Sequence, residues 1–150
     1  RRWRAAWRAE TADPTMTASW PLQQSIHAAL SASAALKAMA GDPLRLYDDV
    51  PEQGAVYPFL SLGDARAEDW STKTGDGAEH FIHVHAWSRH RGFKETKQLL
   101  DAARGALHNA SLAVSGADLV LLQFDFSDHF LDPDGLTRHG VARFRALLQS

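Results

Sequence analysis

Residues 79–107 read EHFIHVHAWSRHRGFKETKQLLDAARGAL, and the change of period inside this stretch decides the fold. Its first half alternates as a strand does: Ile82, Val84 and Ala86 point one way, Phe81, His83, His85 and Trp87 the other. The polar Ser88–Arg91 and a hinge at Gly92 end it. Thr96, Leu99, Leu100, Ala103, Ala106 and Leu107 then recur at helical spacing on one stripe. A strand whose second face carries aromatic and imidazole rings implies a sheet covered on both sides, or one that meets a partner.

Upstream, Ser19 or Trp20 followed by Pro21 predicts a helix start, because Pro loses no needed hydrogen bond at the first helical position. Leu22, Ile26, Ala29, Leu30 and Leu36 form a narrow stripe with the small Ser33 filling its gap, and Gly41 and Pro43 end it. Leu44–Val50 predicts a short strand, Pro51–Gly54 a turn, and Tyr57–Leu62 a second strand with Pro58 near its start. Gly63–Ala78 is polar apart from Trp70 and is expected to be a loop, mobile or ordered by a neighbour.

Downstream, Asn109–Asp118 links to a closing hairpin. Leu119–Phe130 alternates with Val120, Leu122, Phe124 and Phe126 on one face. Asp132-Pro133-Asp134-Gly135 has the residues of a tight turn, and Thr137–Leu147 returns with Ala142, Phe144 and Ala146 inward and Arg143 and Arg145 outward. The order α-β-β-β-α-β-β, with hairpin-like connections, predicts an α+β domain: a mainly antiparallel sheet with two packed helices.

The chain of 150 residues fits one domain with a self-sufficient core. It has no cysteine, which removes disulfides, thiolate metal sites and cysteine nucleophiles. No apolar run approaches the ~18–20 residues that cross a bilayer. Residues 1–15 carry four arginines against Glu10 and Asp13, a balance of +2 that leaves −4 on the rest of a chain of net charge −2. An acidic body speaks against general nucleic-acid binding. The Arg/Trp head is expected to be an unstructured or non-native extension, with the working domain at residues 16–150 starting at Met16.

Catalytic motifs are missing: no serine lies in G-x-S-x-G, and no glycine-rich phosphate loop occurs. The one metal candidate is His83-x-His85, two imidazoles on one strand face, with His129, Asp128 or His139 able to supply a third ligand for a metal-dependent enzyme. Two of eight histidines at this spacing also arise by chance, leaving the rings on a half-exposed face or at a subunit contact. Asp125, Asp128, Asp132 and Asp134 do not match a calcium loop, and Asp132 and Asp134 suit the turn itself. No catalytic residue, metal or cofactor is therefore assigned.

From Pro21 onward the chain resembles the tail-completion or tail-terminator family of long-tailed phages, with relatives in prophages and gene transfer agents. Four pieces carry the resemblance: the amphipathic opening helix, Tyr57-Pro58-Phe59-Leu60-Ser61-Leu62-Gly63, the strand ending Ala86-Trp87-Ser88 with its helix, and the closing hairpin. In the hairpin, Asp134-Gly135-Leu136-Thr137-Arg138-His139-Gly140 leading to Phe144-Arg145 is the most specific part. The family typically has Val where this chain has Ala86, a departure that touches packing rather than role.

The resemblance implies a structural, non-enzymatic subunit of a homo-oligomeric ring, commonly a hexamer. Such a ring caps the tail tube and meets the tail-tube protein on one side and a head-side connector or stopper on the other. DNA would pass through its lumen without specific binding, and no membrane is involved. The subunit would be made in the bacterial cytoplasm and end at the head–tail junction. A head-completion adaptor of the same particle differs only in partner. Ring closure needs two unlike patches on each copy. The Asp64–Ala78 loop, with Trp70 and Asp76, is expected to supply one, and Arg89-His90-Arg91 the other. Trp70 folded onto its own sheet and a merely solvated basic turn are the competing readings.

Overall fold

The computed structural model describes residues 13–49 and 53–150. The Arg/Trp head up to residue 12 and the first half of the expected Pro51–Gly54 turn, residues 51 and 52, lie outside the described residues. The elements are α1 (Ser19–Ser31), α2 (Ala34–Ala40), β1 (Leu46–Tyr47), β2 (Phe59–Asp69), β3 (Gly77–Ser88), α3 (Lys94–Leu107), β4 (Asp118–Leu131) and β5 (Arg138–Gln149). They form one five-stranded sheet in the order β1-β2-β3-β5-β4, antiparallel except for the short parallel β1–β2 pair. The α+β class and the predicted element order hold, with the opening helix in two pieces. No helix among the described residues is long and apolar enough to cross a membrane.

Ser33 explains that division. Its hydroxyl accepts the amide hydrogen of Leu36 at 3.2 Å, so it caps α2 instead of filling a stripe in one long helix. Gly41, at φ 94°, then ends α2 in a conformation that favours glycine.

All three helices lie on one face of the sheet. Leu22, Ile26 and Leu30 of α1 and Leu99, Leu100, Ala103 and Leu107 of α3 meet Leu60, Ile82, Val84, Ala142, Phe144 and Ala146 in one continuous core. β3 sits at the centre, paired along its length with β5 and along most of it with β2. Gly140 lets α3 approach: a Cβ there would lie 2.9 Å from both Leu100 Cδ1 and His129 Nδ1. Gly140→Ala should therefore cost about 1–3 kcal/mol, measured as a lower denaturant midpoint at unchanged slope.

Two readings are corrected. The second strand does not stop at Leu62. It shifts register between Leu62 and Ala65 and continues to Asp69, so the expected Gly63–Ala78 loop shrinks to the hairpin tip 70–76. β1 pairs only with Leu60 and Ser61, which leaves the rest of β2 as a sheet edge, and a sheet edge is commonly kept polar.

The single-face reading of β4 fails for a related reason. Register shifts between Leu119 and Leu121 and between Phe124 and Phe126 reset the alternation twice. Leu122 and Phe124 face the helices, whereas Phe126 pairs with Arg143 on the opposite face and Val120 is left exposed.

Candidate functional site

The face of the sheet away from the helices carries the side chains that drew attention in the sequence. One rung runs across four strands through paired positions: Phe59, Trp87, His139 and Phe130. Phe59 stacks on Trp87 with centroids 6.1 Å apart, Trp87 on His139 at 3.8 Å, and His139 meets Phe130 edge-on at 4.7 Å. Trp87 Nε1 donates to Ser61 Oγ at 2.9 Å, which fixes the indole. Lower on this face Arg143 lies over the Phe81 ring at 3.8 Å, with Asp125 3.2 Å from its Nε. Arg145 pairs with Glu79.

His83 and His85 share this face as expected, but their rings turn to different partners. His83 Nδ1 donates to the Asp64 carbonyl at 2.8 Å. His85 Nδ1 faces His139 Nε2 at 2.7 Å, so one N–H is shared between two rings. Gly63 makes room, since a Cβ there would stand 3.0 Å from His85 Nε2. Burial, first of all, lowers the pKa of His85. His139 is pushed to about 4, by burial and then by the charge of His85.

Of the proposed third ligands, His129 is on the helix face against Thr96 Oγ1 at 3.0 Å, and burial lowers its pKa. Asp128 accepts the amide hydrogen of His129. Among the described residues, no group of three or more His, Cys, Asp or Glu side chains is placed to hold a metal ion. The aspartates of the closing hairpin are also dispersed. Asp125 serves Arg143, while Asp134 accepts the amides of Leu136 and Thr137, each at 2.8 Å, and the Thr137 hydroxyl at 2.6 Å. Those bonds hold its carboxyl at about 2.

The two sequence-predicted contact patches lie at opposite ends of the sheet. Trp70 and Asp76 flank the β2–β3 tip, where the Trp70 amide donates to Gly77 O at 2.7 Å and the Ser150 amide to Asp76 O at 3.2 Å. Trp70 is 57% exposed, with one edge of its ring beside Gly77 of its own sheet. Arg89, His90 and Arg91 follow β3 at the far end. Twelve residues of extended chain separate the two ends by roughly 35–40 Å.

Arg89 is not merely solvated. Its Nε donates to Thr137 Oγ1 at 3.0 Å and its guanidinium lies 4.6 Å from the Tyr57 ring centroid, so it clamps the β4–β5 turn to the entry of β2. His90 and Arg91 are exposed.

Sequence reasoning missed the apolar side chains beside these patches. Val120 is 59% exposed near Trp70, and Leu131 and Leu136 are 47% and 59% exposed at the Arg89 end. A leucine inside the otherwise polar turn Asp132–Thr137 was the available signal for Leu136.

The fold and these surfaces define a small α+β subunit whose polar and aromatic side chains are used in holding a sheet face and its two ends in shape. The sequence model of the family described as Tail completion protein gp17 matches residues 24–149. The chain belongs to that family, whose members are structural proteins of phage-type particles. A solved chain in the virion of a native gene transfer agent particle is similar to it, with 30% identity over 86% of this chain and 95% of that one, and a TM-score of 0.79. Comparison with curated proteins finds no match.

Proposed function

We infer that this tail-completion protein works as a ring, most simply a hexamer, that ends the tail tube and joins it to the head-side connector of a phage or gene transfer agent particle. The observation that carries this reading is that large apolar side chains are exposed at both ends of the sheet, among others on the surface such as Trp20, Phe126 and Phe130. Trp70 and Val120 lie at one end, and Leu131 and Leu136 at the other. Such surfaces mark contacts with partners. Because the two ends differ, each copy has the unlike pair of patches that head-to-tail closure requires.

The net negative charge suits a conduit that lets DNA pass without gripping its phosphates. The histidines of the open face are held in contacts that order the sheet: His83 with the Asp64 carbonyl, and His85 with His139. The test is the solution mass of residues 16–150 over a concentration range, by light scattering, with and without the purified tail-tube protein. A closed multimer, alone or on the tube, is the expected result. A monomer indifferent to the tube would remove the ring.

A further inference from the structure

We propose that one copy of this chain seats the Leu131–Leu136 turn in the Trp70–Val120 groove of the next, so that apolar knob and apolar groove form the junction between copies. This rests on the ring reading and names the contact that would close it.

The groove has a volume of about 380 Å³ between the β2–β3 tip and the end of the sheet. Trp70 and Val120 form its walls and Leu147 and Leu148 line it. It stays open for two local reasons. The register shift beside Val120 takes that side chain out of the alternation, and the tip beyond Asp69 has no strand over it. Its surroundings are acidic: Asp69, Asp76 and Asp118, all exposed, outnumber Lys73.

The knob is built for presentation. Asp134 gathers the amides of Leu136 and Thr137 and the Thr137 hydroxyl, and Arg89 holds Thr137 from behind. Leu136 is thus displayed on a backbone already fixed, which lowers the ordering cost of binding. Around it stand four cations, Arg89, Arg91, Lys94 and Arg138, against three carboxylates, Asp132, Asp134 and the Glu95 that accepts from Ser88.

Charge complementarity selects the occupant. A groove-to-groove pair would face carboxylates with carboxylates, and a knob-to-knob pair guanidinium with guanidinium. Only groove to knob sets an apolar centre inside a rim of opposite charges. The two patches sit at opposite ends of one rigid sheet, so a copy cannot satisfy its own groove. Each copy then uses both patches once, the heterologous arrangement that closes into a ring.

The experiment uses the full chain with Trp70→Asp or Leu136→Asp, and far-UV circular dichroism to confirm that each exposed-site variant is folded. Val120→Asp and Leu131→Asp form a second pair if either fails to fold. Each single variant should weaken the junction by roughly thirtyfold or more, the range of an interface hot spot, and run as a monomer where the parent forms a multimer. An equimolar mixture of the two variants should form one-to-one dimers and nothing larger, because only one intact groove then meets one intact knob.

Single variants that assemble like the parent would overturn the pairing and leave the ring reading standing. A mixture that stays monomeric, or that rebuilds the full multimer, would also overturn it. A parent chain that is monomeric with and without the tube protein would remove the ring reading and the pairing together.

Discussion

Replacing Phe144 by alanine is expected to lower the unfolding free energy by about 3–5 kcal/mol, the cost of truncating a fully buried aromatic ring. Phe144 lies on β5 between Ile82 of β3 and Phe124 of β4, is completely buried, and meets the Phe124 ring edge-on at 5.8 Å. Its ring sits where the helices and the centre of the sheet meet, and the flanking Ala142 and Ala146 are too small to refill the space. At about 2–4 °C per kcal/mol for a chain of this size, the melting temperature should fall by roughly 6–20 °C. Leu136→Ala, on the exposed turn, should stay within ~0.5 kcal/mol of the parent. Denaturant titration of the two variants checks both. A midpoint for Phe144→Ala within 1 kcal/mol of the parent would mean that the core collapses around the missing ring.

The contrast between those two positions also separates what could be read in the sequence from what could not. The Glu79–Leu107 stretch was legible because β3 is central: one face is wholly covered by helices, so burial imposes a clean alternation, and α3 buries the predicted stripe with only Ala106 partly open. β2 and β4 lie toward the sheet edges, and each carries register shifts. A bulge adds a residue that pairs with nothing, so a period-2 reading changes face without any change in composition. That is why the polar half of β2 read as a loop and why Phe126 was assigned to the wrong side.

The contact surfaces were half legible for a similar reason. Trp70 stood out as a lone large ring in a polar stretch. A single leucine in a turn carries no such signal until the grip of Asp134 on the backbone shows how it is displayed. The same holds for the histidines. Their shared face follows from spacing, but the meeting of His85 with His139 depends on strand register, which the sequence does not state.

Lowering the pH should weaken the domain through that histidine pair. The 2.7 Å contact uses one N–H between two neutral rings, and a doubly protonated pair would set donor against donor and charge against charge. Asp64 and Asp132 favour the protonated His139, and Asp64 does the same for His85, but burial dominates at both rings. His83, close by, disfavours charge on His85. The folded pKa of His139, about 4, therefore lies below its ordinary 6.5. Between those values the unfolded chain binds the proton and the folded chain does not. Stability is fully present above about pH 6.5 and is lost as the pH falls toward about 4. Allowing for the exposed part of the ring, the loss is about 1–2 kcal/mol. His139→Phe keeps a ring to stack on Trp87 but cannot take the proton, so its stability should decline less over the same window. His129, partly buried and with its pKa also lowered, is present in both proteins and cancels in the comparison. Urea midpoints measured from about pH 7 to about pH 4.5 decide the matter. Parallel curves for parent and variant would show that the pair contributes no acid sensitivity. Converging curves would show that protonation of this pair is what loosens the open face of the sheet.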